Sequence, residues 1–146
     1  QVRSFMQSKQ EHRENSLKSN LYLLDNVDLK GKVAVVIDDS IVRGTVIEDA
    51  VSKCLQAGVR KIYWLSGTPP IGVIVNGEPH GCESGVDMPP TDIFAINRYG
   101  GIEGIERRTG AKVYYISHEG MFEAIGIPKE QLCYYCIGGP HPFYSK

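Results

Sequence analysis

The fold follows from one pattern in residues 31–67, GKVAVVIDDSIVRGTVIEDAVSKCLQAGVRKIYWLSG. Residues 31–37 form a run rich in β-branched residues, which predicts a strand buried on both faces of a parallel sheet. Apolar residues then recur at helical spacing over residues 45–57, and Gly58 is a typical helix stop. Residues 61–67 predict a second strand. This order of elements predicts an α/β fold in which a right-handed crossover joins two parallel strands.

The rest of the chain adds elements on both sides of this unit. Residues 10–24 are compatible with a helix, whereas residues 67–92 contain five of the eight prolines and predict irregular structure. Downstream, the sequence predicts a short helix that Thr91 and Asp92 cap and that runs to Asn97, a helix over residues 103–109, a strand over residues 111–117 and a helix over residues 118–126.

Composition and charge exclude several classes of protein. The chain has 146 residues, of which 42% are hydrophobic and 23% charged, as in an ordinary globular domain. A net charge of −1 offers no basic surface for nucleic acid or for an anionic membrane. No apolar run is long enough to span a bilayer, and the polar N-terminal stretch is not a signal peptide. We therefore expect a cytoplasmic protein without a nucleic-acid or membrane partner.

Two neighbouring carboxylates, Asp38 and Asp39, stand where the first strand ends. In open α/β sheets, ligands bind at the carboxyl ends of the parallel strands. Gly44 and Thr45 open the following helix, whose first N–H groups lack internal partners and therefore favour a phosphate. Ser40 and Thr45 add hydroxyl donors, and Gly44 lets the backbone approach a ligand closely. A phosphorylated sugar with free hydroxyls would satisfy both ends of this loop.

Two other interpretations of the loop remain. A nucleotide phosphate chain would not by itself account for the paired acids, and the Gly-Lys-Ser/Thr ending of a P-loop is absent. Alternatively, Asp38 and Asp39 only end a strand and begin a turn. That alternative is strong for an isolated pair of aspartates, but weak for the whole string from the apolar run through Gly44 and Thr45.

The string VVIDDSIVRGT, residues 35–45, resembles the phosphoribosyl-pyrophosphate (PRPP) binding loop of type I phosphoribosyltransferases. Its DDSIVRGT form is similar to that of the amidophosphoribosyltransferase family. Other stretches resemble further parts of that family: residues 3–21 its flexible loop, residues 85–90 its YGIDMP segment, residues 104–125 a late helix, strand and helix, and residues 133–142 its end.

The resemblance implies a partial type I phosphoribosyltransferase fold, a parallel sheet with flanking helices. Residues 1–146 would be the C-terminal portion of that domain, with a flexible-loop region at 1–31, a core at 32–126 and a cysteine-containing tail at 127–146. The implied activity is the glycosyltransferase half of an enzyme that makes 5-phosphoribosylamine in the first step of purine synthesis. The sequence begins at Gln1 and lacks the family's glutaminase domain, so we expect the chain alone to be incomplete.

The resemblance also implies roles for individual residues. Asp38 and Asp39 would hold the ribose hydroxyls and lie near Mg²⁺, and they form the implied catalytic set together with Arg3 and Arg13 of the flexible loop. The implied contacts to the 5-phosphate come from Ser40, Ile41, Val42, Arg43, Gly44 and Thr45. Lys9 and Gln10 are further candidates on the flexible loop. Two departures from the family pattern, Ser8 for a proline and Asn20 for a lysine, bear on how this loop closes.

Three of the four cysteines match ligands of a [4Fe-4S] cluster that some members of the family carry. These are Cys82, Cys133 and Cys136, and the fourth ligand of the family lies upstream of this sequence. A Cys-x-x-Cys pair is also compatible with zinc, for which His80 and His141 are near in sequence, with a redox pair, or with plain thiols. Cys54 falls on the apolar stripe of its helix and is expected in the core.

Three functions therefore compete. The first is the phosphoribosyl-transfer half of a glutamine amidotransferase, with PRPP, Mg²⁺ and a glutaminase domain or upstream segment as partners, in the homo-oligomeric assembly that the family forms. The second is a non-catalytic, PRPP-binding regulatory paralogue. The third is a phosphoribosyltransferase for a free base, against which the Ser-Ile-Val-Arg-Gly form of the loop and the cysteine tail both count.

Overall fold

The computed structural model describes residues 27–82, 88–89 and 93–144. Its centre is a three-stranded parallel sheet, in which the second strand lies between the other two. The sheet strands are β1 (Val33–Asp38), β2 (Lys61–Ser66) and β5 (Lys112–Tyr115), and a small antiparallel ladder joins β3 (Ile74–Val75) to β4 (Glu78–Pro79). The helices are α1 (Thr45–Gln56), α2 (Ala95–Arg98), α3 (Ile102–Thr109) and α4 (His118–Ile125), followed by 3-10 turns at Lys129–Gln131 and Tyr135–Ile137.

The predicted α/β class and the strand–helix–strand unit are confirmed. β1, α1 and β2 follow one another with parallel pairing, and their bounds lie within two residues of the predicted ones. The later helix, strand and helix are also present, as α3, β5 and α4. The irregular segment contains the short β3–β4 ladder, which its prolines did not indicate. The helix predicted over residues 10–24 and the cap at Thr91 and Asp92 lie outside the described residues.

The main core lies between α1 and one face of the sheet. Ile47, Val51 and Cys54 recur along α1 at helical spacing and pack in one cluster with Ile62 and Trp64 of β2. All five side chains are buried, and burying an apolar side chain of this size contributes about 1.5–3 kcal/mol. Cys54 is therefore a core residue, as its position on the apolar stripe predicts.

The prediction that β1 is buried on both faces is wrong. Ala34 and Val36 pack against the core, whereas Val33, Val35 and Ile37 point to the other face and are exposed, Ile37 to 78%. The physical reason is that α1 and α3 contribute to one cluster and therefore cover the same face of the sheet. A β-branched run predicts a strand, but it does not show how many of the strand's faces are covered.

A second cluster attaches the C-terminal tail to the loop after β2. Ile71, Phe94, Met121 and Ile137 are its buried members, and the Gly72 N–H donates to the Cys136 carbonyl oxygen at 2.8 Å. Hence the tail folds back on this loop, which is the condition that Cys82 needs to approach the Cys133/Cys136 pair. None of the described helices combines the length and hydrophobicity that a bilayer crossing requires.

Tyr115 gives the first testable prediction, on the stability of the fold. Its hydroxyl is buried and has no hydrogen-bond partner among the described residues, and burial raises its pKa from 10.0 to about 12. Between these two values the unfolded chain releases this proton while the folded chain keeps it, so the folded state loses stability as the pH rises. We expect Tyr115→Phe to remove that decline.

Urea unfolding at pH 9 and pH 11.5 measures the effect. Because the ring is partly exposed, we expect the wild-type free energy of unfolding to fall by roughly 1–2 kcal/mol more than that of Tyr115→Phe. Tyr114→Phe is the matched control, since Tyr114 is 53% exposed on the opposite face. An equal alkaline decline in wild type and Tyr115→Phe would contradict the prediction.

Candidate functional site

The paired aspartates lie at the carboxyl edge of the sheet, as the sequence predicts. Asp38 is the last residue of β1, Asp39 follows it, and α1 begins at Thr45. The Gly67 N–H donates to the Asp38 carbonyl oxygen at 2.8 Å, which joins the end of β2 to the start of this segment. We call residues 38–45 the 38–45 loop. It occupies the place where open α/β sheets bind their ligands.

The two carboxylates form a local network with the backbone. The Asp39 N–H donates to Asp38 Oδ1 at 3.1 Å, and the Ser40 hydroxyl donates to Asp39 Oδ1 at 3.3 Å. Burial raises the pKa of Asp38, the Asp39 charge raises it further, and the Asp39 N–H opposes both effects. Two adjacent anions of this kind are stabilised by hydroxyl donors or by a hard cation. The donor set fits Mg²⁺, which commonly takes one or two carboxylates together with substrate phosphates.

The other end of the loop is a helix N-terminus open to an anion. Gly44 has φ 88° and ψ −8°, and no described side chain caps the helix there. The first intrahelical bond runs from the Glu48 N–H to the Gly44 carbonyl oxygen at 3.0 Å. The N–H groups of the three residues between them therefore have no helical partner, and with the helix dipole they favour a phosphate.

The middle of the loop is anchored in the protein. Ile41 is 4% exposed and belongs to the main core, and Val42 packs against the second cluster. The Val42 carbonyl oxygen accepts from the Ala95 N–H at 2.7 Å, which ties the loop to the start of α2. The side chains of Ile41 and Val42 are therefore engaged in packing, which leaves only backbone groups of these two residues for a ligand. The predicted roles of all the loop residues stay predictions.

Two residues near the loop, Tyr99 and Arg108, were not found by sequence reasoning. A Cβ added to Gly44 would lie 3.0 Å from Cε2 of Tyr99, so this ring packs directly against the glycine. The Tyr99 hydroxyl donates to Glu48, and Arg108 forms an ion pair with Glu48 at 3.1 Å. Tyr99 and Arg108 lie 51 and 60 residues from Glu48 in sequence, and no local pattern signals contacts at that distance.

The three candidate cluster cysteines lie in one region but do not form a metal centre. Burial raises the pKa of the Cys136 thiol, and the charges of Cys82 and Cys133 raise it further. Within residues 27–82, 88–89 and 93–144, however, no three His, Cys, Asp or Glu side chains are grouped to hold a metal ion. His80 instead stacks on the Tyr135 ring, with centroids 4.0 Å apart. This arrangement does not fit a cluster, which stays a prediction of the resemblance alone.

The predicted flexible-loop residues cannot be placed in this site. Arg3 and Arg13, together with Lys9 and Gln10, lie outside the described residues. The structure thus brings together the carboxylates and the helix N-terminus, which the sequence predicts as one ligand site, and leaves the proposed pyrophosphate contacts as predictions.

Comparisons with known proteins bear on the identity of this site. No protein-family model matches the chain. The amidophosphoribosyltransferase of Methanothermobacter thermautotrophicus is 34% identical over 142 residues, which are 96% of this chain and 28% of the relative. Amidophosphoribosyltransferase 1, chloroplastic, of Arabidopsis thaliana is 30% identical over 141 residues, and the chain covers 23% of it. The chain thus spans about a quarter of the length of these relatives.

A solved structure gives the same result for the fold. The glutamine PRPP amidotransferase from B. subtilis, complexed with ADP and GMP, matches with a TM-score of 0.68 and 27% identity. The match covers 97% of this chain and 30% of that one. The chain is therefore homologous to amidophosphoribosyltransferases over almost its whole length, and its α/β fold corresponds to part of a PRPP amidotransferase. The predicted resemblance is confirmed.

Gly44 gives the second testable prediction. Its φ of 88° is strained for any other residue, and a Cβ would also press on the Tyr99 ring at 3.0 Å. Gly77 has the same φ of 88° but nothing within 4 Å of an added Cβ, so Gly77→Ala isolates the backbone strain. We expect Gly77→Ala to lower the free energy of unfolding by about 1–2 kcal/mol. Gly44→Ala should lose roughly 1 kcal/mol more, because the side chain also overpacks.

Urea unfolding of the two variants and the wild type measures the difference. Equal losses in Gly44→Ala and Gly77→Ala would show that Tyr99 does not restrict the space at Gly44. Native circular dichroism of both variants is the control that both free energies refer to the same fold.

Proposed function

We propose that this chain is the phosphoribosyl-transfer part of an amidophosphoribosyltransferase and that its 38–45 loop binds PRPP with Mg²⁺. The observation that carries the proposal is the position of two carboxylates, Asp38 and Asp39, directly before a helix N-terminus that Gly44 opens. Homology to amidophosphoribosyltransferases supports it. The chain spans only 28% of its relative from M. thermautotrophicus. Its share in the activity of a whole enzyme is therefore part of the proposal.

Each end of the 38–45 loop would hold one part of the substrate. The 5-phosphate would accept hydrogen bonds from the first N–H groups of α1 and from the hydroxyls of Ser40 and Thr45. The ribose hydroxyls would donate to Asp38 and Asp39. Bound Mg²⁺, held by the same carboxylates and by substrate oxygens, would supply positive charge beside the pyrophosphate.

The proposed reaction depends mainly on how the sugar is positioned and on positive charge beside the leaving pyrophosphate. At the anomeric carbon, the bond to the pyrophosphate oxygen breaks and pyrophosphate leaves. Ammonia forms the new carbon–nitrogen bond and loses one proton to give the amine. No side-chain nucleophile is required, so the chain's residues would hold the sugar, orient it and exclude water. The proposed flexible-loop region, residues 1–31, would close Arg3 and Arg13 over the leaving pyrophosphate, and residues 32–126 would form the core.

The remaining parts of the proposal come from homology. Ammonia would be delivered by a glutaminase domain in a longer enzyme, within a homo-oligomer, and the cytoplasm stays the predicted location. The tail, residues 127–146, would cover the loop after β2, and the contacts of Ile137 and Cys136 with that loop support this part of the proposal. The [4Fe-4S] cluster takes no part in any proposed step, because the described cysteines are not arranged to hold it.

The third prediction tests the carboxylates by isothermal titration calorimetry with PRPP and Mg²⁺. We expect Asp38→Asn/Asp39→Asn to weaken binding, because each lost charge-assisted hydrogen bond to the ribose costs roughly 1.5–3 kcal/mol. The matched control is Asp28→Asn/Glu78→Gln, which removes the same number of charges from exposed positions outside the 38–45 loop.

The control variant should bind as the wild type does. If the Asp38→Asn/Asp39→Asn variant also kept wild-type affinity, the carboxylates would not hold the substrate. If the wild type itself bound no PRPP, the proposed function would be wrong for this chain.

A further inference from the structure

Support for the 38–45 loop comes from α2 and from the residue that follows it. The Ala95 N–H donates to the Val42 carbonyl oxygen at 2.7 Å. The Tyr99 ring and the Ala95 methyl group lie 3.0 Å and 3.4 Å from the position of a Cβ on Gly44. The loop backbone is thus contacted at two points, Val42 and Gly44, by a segment that is distant in sequence. These contacts hold the loop in its observed shape, because close-packed protein interiors leave little room for adjustment.

The same tyrosine belongs to a three-residue polar group. Its hydroxyl donates to Glu48 Oε1 at 2.5 Å. Arg108 reaches both oxygens of the same carboxylate, with Nε 3.1 Å from Oε1 and Nη2 3.3 Å from Oε2. We call Glu48, Tyr99 and Arg108 the Glu48 bracket. It ties the first turn of α1 to the end of α2 and to α3.

The position of Glu48 makes its charge important for an anion. It lies in the first turn of α1, and its own N–H makes the first intrahelical bond, to Gly44. A carboxylate here is favourable to the helix dipole, but it competes with a bound phosphate for the same positive potential. A phosphate site at this helix start therefore needs the Glu48 charge to be balanced.

Arg108 provides that balance. Burial acts to raise the pKa of Glu48, but hydrogen bonds from Arg108 and Tyr99 outweigh it and hold the pKa below its usual range. Glu48 is therefore ionised at neutral pH. The Arg108 charge faces it directly, and the charge of Arg98 acts in the same direction more weakly. The Arg108 side chain is 60% exposed and that of Glu48 is 28% exposed. An ion pair this accessible to solvent contributes little to the stability of the fold.

We propose that the Glu48 bracket is a positioning device for the 5-phosphate of PRPP, in which Tyr99 supports the loop at Gly44 and Arg108 cancels the charge of Glu48. This inference rests on the proposed function, because it is the PRPP phosphate that the balanced charge admits. None of the three side chains touches the reacting atoms.

Charge compensation has a signature that a purely structural role lacks. In Arg108→Gln the Glu48 carboxylate loses its ion-pair partner and keeps only the weaker effect of the Arg98 charge. Affinity for PRPP with Mg²⁺ should then fall by about threefold to tenfold, as expected for the loss of one partly screened charge. Glu48→Gln removes the opposing charge and should bind at least about twofold more tightly than the wild type. The Arg108→Gln/Glu48→Gln double variant should return to within about twofold of wild-type affinity.

Arg107→Gln is the matched control for this titration series. Arg107 is the residue before Arg108 on α3, and it forms an exposed ion pair with Glu103 at 3.7 Å instead of reaching Glu48. Its replacement should leave the dissociation constant unchanged. Tyr99→Phe keeps the ring against Gly44 but loses the hydroxyl, so affinity should fall by about twofold to threefold, less than in Arg108→Gln.

Calorimetric titration with PRPP and Mg²⁺, repeated at low and high salt, reads out each outcome. The loss in Arg108→Gln should shrink at high salt, because it is electrostatic. If the wild type binds and Arg108→Gln binds equally well, or if the double variant is no better than Arg108→Gln, the bracket proposal is wrong while the proposed function stands. If the wild type binds no PRPP, the proposed function and the bracket proposal both fail.

Discussion

The left-handed backbone of Gly44 is the constraint on which the rest of the site depends. The chain must leave β1 at Asp38, reverse direction and enter α1 at Thr45 with its apolar stripe toward the sheet. A φ of 88° at the residue before the helix makes this entry possible without a side chain in the way. The same geometry leaves the helix N-terminus uncapped beside two carboxylates. One backbone conformation therefore serves both the packing of α1 and the chemistry of the loop.

The loop does not hold this conformation alone. Its middle is fixed by Ile41 in the main core and by the hydrogen bond from Ala95 to Val42, and its end is covered by the Tyr99 ring. The contacts at Val42 and Gly44 come from a segment more than fifty residues downstream. A loop that leads into a helix is often treated as a local motif, yet here its shape is a property of the tertiary structure. Placing the site on packed elements of this kind keeps the donors in position before a ligand arrives.

The sequence was informative where a periodic pattern decides the outcome. The β1–α1–β2 unit could be predicted because the β-branched run, the helical spacing and the glycine stop agree with one another. The position of Asp38 and Asp39 could be predicted because both directly follow the apolar run of the first strand. Ligand sites of open α/β sheets lie at that end of the strands. The open face of β1 could not be predicted, because a run of apolar residues does not say which neighbours cover it. Tyr99 and Arg108 escaped prediction because only folding brings them to Glu48.

The exposed face of β1 has a practical consequence for handling the chain. Val33, Val35 and Ile37 form an apolar row on a strand that, among the described residues, pairs only with β2. An exposed apolar row on a strand is a surface to which other chains can add. During refolding at high protein concentration, correct folding of the sheet therefore competes with association of strands from different molecules. A lysine in place of Val35 would put a charge in that row and favour the single folded molecule.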